Sequence, residues 1–493
     1  MQYLMALDAG TTSLKAALLD RTGRQIAGHG EEYALRKSGA DIVELDCETY
    51  WLAAQRAIRA VLAQSRVHAE TIAAIGVTSQ GESIICVDRQ GHPLRPTIVW
   101  LDNRSRAEAD EIGQAFAIDE IYRRTGQQEM TPTWTATRIL WLRRHEPQVF
   151  EHADRYLLVA DYLLYRLTGR FVTDRALNPS TLYYDLTSGD WWPAMLEFLG
   201  IRPSQLPELV TSGQVVGTIQ DHAAQALALL PGTPVTTAPI DQVTAAIGAG
   251  NLEPGVVTES TGAALALCAT LDRPLYDPQQ RVGLYVHALP RRYALLPWAP
   301  TAGMALRWFR DEFGCGRDYT QLTAEAHGVP PGADGLVVLP HLAGAGCPNV
   351  NPRARGVFWG ATLGHRRGHF VRAIMEAVAF MLRGNLELLA ALGAKTREVR
   401  CLGGGARCDL WLEIKADVCR TDLLVMDIEE AAGLGTAMIA ATGVGLYGSL
   451  AEARGHMVRV RRRVAFDAGR ADQYDSAYRR YQALDRGTQS LFE

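Results

Sequence analysis

The chain has 493 residues, of which 47% are hydrophobic and 21% charged, and its formal net charge is −4. This balance fits a globular protein of two large domains and gives no electrostatic reason to bind nucleic acid or an anionic membrane. No apolar run approaches the ~20 residues of a spanning helix, no signal-like segment precedes the first strand, and eight scattered cysteines form no Cys-x-x-Cys pair. A cytoplasmic enzyme with reduced thiols fits these bounds.

Hydrophobic spacing predicts strands at 3–8, 13–20 and 24–33, then an amphipathic helix near 48–65 with Leu52, Ile58, Val61 and Leu62 at helical intervals. A buried strand, 71–78, runs into Ser79-Gln-Gly-Glu-Ser83. A short hairpin over 83–88, turning at 89–92, precedes a strand at 97–101 that ends at Asp102. In open α/β sheets ligands sit at the carboxyl ends of strands, so Gln80, Glu82 and Asp102 are expected to face one pocket. Residues 105–230 read as mostly helical. A strand at 234–239 delivers Asp241 and Gln242 to a small-residue helix, 243–250, and the turn Asn251–Gly255 marks a boundary between two lobes, 1–248 and 249–493. Beyond it come a second hairpin at 255–269, a long helix at 369–392, and Cys401-Leu-Gly-Gly-Gly-Ala406 feeding a helix from Asp409.

The two hairpins carry the first functional signal. In each, an apolar strand passes an acidic residue, turns through Gly, Ser and Thr, and returns as another apolar strand. The first has Asp8, Gly10, Thr11, Thr12, Ser13 and Lys15; the second has Thr261 and Gly262. Small residues, hydroxyls and free N–H groups at such turns suit phosphate oxygens. A carboxylate beside phosphates implies Mg²⁺ between them, which places Asp8 and Asp241 as expected metal neighbours. Gly404 and Gly405, with Cys408 just after them, would let a nucleotide approach the backbone at a helix N-terminus. Asp241 is the candidate base for a substrate hydroxyl, with helix N-capping as its bland alternative. Gly443-Val-Gly-Leu-Tyr-Gly448 imitates a dinucleotide fingerprint but trails a helical pattern where a strand is required. No Walker motif occurs.

Taken together, the chain resembles the FGGY carbohydrate kinase family, within the actin-like ATPase superfamily, over essentially its whole length. The matching segments are Leu7–Lys15, Thr258–Gly262, Ile240–Gln242, Leu402–Trp411 and Glu429–Thr436, with Asp161–Gly169 and Asn351–Phe358 also typical. The resemblance implies an α/β fold of two ribonuclease-H-like lobes around a central cleft. It also implies ATP and Mg²⁺ as cofactors and a sugar or polyol as the substrate. Asp241 would be catalytic, and Gln80, Gly81, Glu82, Asp102, Asp241 and Gln242 would hold the substrate. Gln80-Gly81-Glu82 stands where xylulokinases typically have Gln-Met-His and glycerol kinases Gln-Arg-Glu. The acceptor expected is a ketose or short polyol, xylulokinase-like first, with a glycerol- or tetritol-type polyol as the alternative. A homodimer is left open. The rival from another class is a non-metabolic actin-like ATPase, which would have no use for carboxylates aimed at hydroxyls.

Overall fold

Continuous apolar runs at Leu4–Leu7 and Ala74–Val77 form strands covered on both faces, as the central strands of a mainly parallel sheet require. In the computed structural model, which describes residues 2–492, the first sheet is built from six strands. These are β1 (Tyr3–Ala9), β2 (Ser13–Asp20), β3 (Gln25–Glu32), β4 (Ile72–Ser79), β5 (Val215–Thr218) and β6 (Pro234–Thr237). Their order is β5-β6-β4-β1-β2-β3, with β1 antiparallel to β2 and parallel to β4, and β6 parallel to β4. The edge strand β3 alternates half-buried and exposed residues, which is how an edge differs from a centre.

The second sheet repeats this logic. It uses β7 (Val256–Thr261), β8 (Leu265–Leu271), β9 (Leu284–Val286), β10 (Tyr293–Leu295), β11 (Glu398–Leu402), β12 (Leu423–Met426) and β13 (Val460–Val464) in the order β9-β10-β8-β7-β11-β12-β13. Here β7 is antiparallel to β8 and parallel to β11, β12 is parallel to β11, and β13 closes antiparallel. The hairpin that opens each sheet therefore occupies the same place in both lobes.

Six helices position the site. α1 (Cys47–Ser65) starts where the Asp46 carboxylate accepts the Glu48 N–H, and it buries Tyr50, Ala54, Ile58 and Val61 on one face. The others are α2 (Thr135–His145), α3 (Asp241–Gly248), α4 (Arg367–Ala391), α5 (Asp409–Cys419) and α6 (Ala431–Gly443). α3 follows β6 and α6 follows β12, so they are counterparts in the two lobes. They cross at glycines: a Cβ on Gly248 would lie 2.0 Å from the Ala431 carbonyl, and one on Gly435 would lie 1.9 Å from that of Thr244. α6 packs on β1 and β4, and Leu434, Ala437, Met438, Leu450 and Met457 complete the first lobe's core. The second half of the chain thus lends 431–457 to the first sheet.

One expectation needs correcting. The 105–230 region holds short strands as well as helices: Arg155–Leu157, Val172–Asp174, Tyr184–Asp185, Asp190–Trp191, Glu208–Val210 and β5. Two to four residues are too few to display a period of two. The hairpin expected at 83–92 forms: Asp88 N donates to the His92 carbonyl, Leu94 N donates to that of Cys86, and Val87 and Ile84 bridge to Pro93 and Ile98, while Ile85–Val87 also pairs with Arg155–Leu157.

Candidate active site

Asp8 ends β1 and Asp241 begins α3, and the two carboxylates are close enough to repel each other. Burial first, and then the Asp241 charge, push the Asp8 carboxyl up to about 7. Asp241 is likewise raised to about 7, by burial and by Glu82, although its Oδ1 accepts the Gln242 N–H at 2.7 Å. Ile240 occupies the cap position, so the Asp241 side chain does not cap its helix. Asp8 Oδ1 is buried with no hydrogen-bond partner. Two half-buried, mutually repelling carboxylates with an orphaned oxygen fit a hard cation between them. Among the described residues there is no cluster of three or more His, Cys, Asp or Glu able to hold a metal by itself, so phosphate and water would supply the remaining ligands.

Each hairpin is tied down through a threonine hydroxyl. Thr11 Oγ1 accepts the Trp100 indole N–H at 2.8 Å and donates to Gln80 Oε1 at 3.2 Å, while Gln80 Nε2 donates to the Tyr50 hydroxyl. Gln80 therefore braces the first hairpin. Thr261 Oγ1 accepts from Lys415 and donates to Glu259. Gly10, Thr12 and Ser13 complete the first turn, and Lys15 extends from β2 to Glu430, donating to both carboxylate oxygens at 3.0 Å. Lys15, expected to meet phosphate, is held here by a carboxylate that precedes α6.

Two cavities share Arg407 in their walls. One, of about 380 Å³, is lined by Asp8, Lys15, Glu430 and Arg407. The other, of about 920 Å³, is lined by Thr261, Gly262, Gly404, Gly405, Arg407 and Cys408. Gly403 holds a φ of 75° there, and a Cβ on it would press within 3.0 Å of Ser260 Oγ and the Thr261 carbonyl. The glycine loop thus packs directly on the second hairpin.

Beside Asp241, Glu82 sits at a φ of 61°, a left-handed backbone that costs a non-glycine residue free energy. Its carbonyl is fixed by Thr135 Oγ1 at 3.0 Å and by Arg138 Nη1 at 2.8 Å. Arg138, fully buried on α2, also donates to the Trp100 carbonyl at 2.8 Å. Burial raises the Glu82 carboxyl, and Tyr285 of β9 lies within the electrostatic reach of Glu82 and Asp241. A Cβ on Gly81 would come within 3.0 Å of Ile240 Cδ1 and Ser180 Oγ, so the residue between Gln80 and Glu82 is small because Ile240 presses on it. Gln242 is exposed next to Asp241.

Asp102 is a correction. Its carboxylate was expected to face the pocket as a hydroxyl acceptor. Instead it is fully buried and saturated: Oδ1 accepts Arg104 N and Nε, and Oδ2 accepts Val43 N at 2.6 Å and Arg104 Nη2 at 2.8 Å. The residue of that segment that reaches the hairpin is Trp100. Trp100, Arg138, Tyr285, Arg407 and Glu430 were not singled out from sequence. The one signal for Arg138 was a cation inside an apolar helical run.

The N-terminal domain model of the FGGY family of carbohydrate kinases matches residues 3–248, and the C-terminal domain model matches 268–444. The chain belongs to this family. It is a phosphotransferase that uses ATP as donor and an alcohol group of a sugar as acceptor. It is 28% identical to the xylulose kinase of Bacillus subtilis over 100% of this chain and 98% of that protein. It is 31% identical to the glycerol kinase of Trichlorobacter lovleyi, over 91% of each chain. The crystal structure of xylulose kinase from Rhodospirillum rubrum superposes with a TM-score of 0.92 at 29% identity, covering 100% of both chains. Among the described residues no helix is long and apolar enough to cross a membrane.

Proposed function

We propose that the acceptor is a neutral ketose of the xylulose type and that Asp241 orients and deprotonates its attacking hydroxyl. The observation that supports this most is the pairing of Asp241 with Glu82, whose carboxylates repel each other. An ionised carboxylate accepts hydrogen bonds only, so this pair suits a ligand that donates through hydroxyls and disfavours an anionic sugar acid. Glu82, Gly81 and Gln242 would grip the other hydroxyls, with Gln80 acting through Thr11. Glu82 in a Gln-Gly-Glu segment favours one second reading, a glycerol or tetritol acceptor.

Donor phosphates would lie between the Gly10–Ser13 and Thr261–Gly262 turns, with the adenosine in the cavity at Gly404, Gly405 and Cys408. Asp8 and Asp241 would hold Mg²⁺, whose charge offsets that of the phosphates. Asp241 takes or orients the hydroxyl proton while the lobes exclude water that would otherwise hydrolyse ATP. A coupled ADP-release screen over pentuloses, hexuloses, tetritols, glycerol and aldonates tests the assignment. The expected result is highest kcat/KM on a pentulose and none on aldonates. Preference for an aldonate would overturn it.

A further inference from the structure

Lys415 and Glu259 are both fully buried, and the lysine Nζ lies 2.7 Å from Glu259 Oε1. Neither side chain can reach a ligand. Taking two charges out of water costs so much that an apolar pair of similar volume is often as stable or more so, and net stability is therefore a weak reason for the pair. The pair does provide direction. Nζ also donates to Thr261 Oγ1 at 2.7 Å, and the Thr261 hydroxyl in turn donates to Glu259.

Three parts of the nucleotide site meet at this ammonium. Thr261 ends β7 and opens the second hairpin. Lys415 stands on α5, the helix that follows the glycine loop. A Cβ on Gly405 would lie 2.7 Å from Thr261 Cβ and 3.3 Å from Lys415 Nζ. The Trp411 ring, which lines the larger cavity, lies 5.2 Å from Nζ. The Cys401 thiol faces Glu259 from β11. The first hairpin has the matching arrangement in neutral form, with its Thr11 hydroxyl held between the Trp100 indole and the Gln80 amide.

We propose that Lys415 and Glu259 are positioning residues for ATP. They form a buried ionic clamp that fixes the second phosphate turn against the glycine loop and turns the Thr261 hydroxyl inward. The turn then has only its backbone to offer to phosphate. This inference rests on the reading of Thr261–Gly262 as a phosphate turn. Small displacements of a positioning loop carry large kinetic costs, so the clamp governs nucleotide affinity and not sugar affinity.

Lys415→Met alone strands the Glu259 charge and is expected to fold poorly, so the informative variant removes both charges, Glu259→Leu with Lys415→Leu. This variant should melt within a few degrees of the parent. Its KM for ATP should rise tenfold or more, and its KM for sugar should stay within about twofold. Thr261→Val, which keeps the ion pair and deletes the hydroxyl, should raise the ATP KM in the same direction. Direct titration with a non-hydrolysable ATP analogue in the absence of sugar supplies the second readout. A folded double variant with the parent's ATP KM and analogue affinity overturns the clamp. A parent protein that fails to bind the analogue overturns the nucleotide reading beneath it.

Discussion

Arg138 is the residue whose loss reports most directly on the sugar side. It donates to the carbonyls of Glu82 and Trp100, and through them holds a strained backbone and the indole that anchors Thr11. Arg138→Met leaves the Trp100 carbonyl unpaired and the Glu82 carbonyl held by Thr135 alone, at about 1–3 kcal/mol for the unpaired group. Melting should show the protein destabilised by at least that amount. KM for sugar should rise about tenfold while KM for ATP moves far less, and equal rises in both would contradict the role. The individual site residues were unevenly legible in sequence. Asp8, Asp241 and the two turns announce themselves through local spacing. Asp102 misled because its partner Val43 lies on a distant segment, and nothing in Trp-Leu-Asp-Asn-Arg tells an acceptor facing a ligand from one saturated by its own arginine. Lys415 was invisible for the same reason, its partner Glu259 lying 156 residues away.

At the scale of elements, the crossing of α3 and α6 sets where Asp241 points. Gly435→Ala puts a methyl against the Thr244 carbonyl and forces the helices apart, an overpacking that costs about 1–3 kcal/mol. Denaturation should register that loss, and kcat should fall with it; a variant as active and stable as the parent would show that the crossing is not what places the aspartate. A second element-level prediction concerns Asp161, near the start of the helix Val159–Thr168. Its Oδ2 accepts the Leu158 N–H at 2.8 Å, and burial raises its carboxyl to about 7. The unfolded chain ionises this group from about pH 4, the folded protein only near 7. Between those values the folded state binds more protons, so stability falls as pH rises and levels off above 7. Asp161→Asn removes that slope. Between pH 5 and 8 the parent should therefore lose more thermal stability than the variant, and parallel curves would contradict the assignment. The helical character of this region was expected from sequence, whereas the short strands around the helix were not, since pairing between remote segments creates them.

For the whole molecule, duplication organises everything else. Two sheets share the same central arrangement, a hairpin whose first strand lies parallel to a later strand, and paired helices cross between them at glycines. The duplicated hairpins were readable because a strand-turn-strand pattern is local. The loan of 431–457 to the first core was not, because an Ala- and Gly-rich helix carries no mark of which sheet it will cover. The proposal has one centre: Asp241 acts chiefly on the acceptor hydroxyl, and ATP is held mainly by the two turns and Asp8. Steady-state kinetics of Asp241→Asn with ATP and a pentulose test it most directly. General-base loss typically costs about 10²–10⁴ in rate, so kcat should fall by that much with KM for ATP near the parent value. A kcat within threefold of the parent would contradict the account.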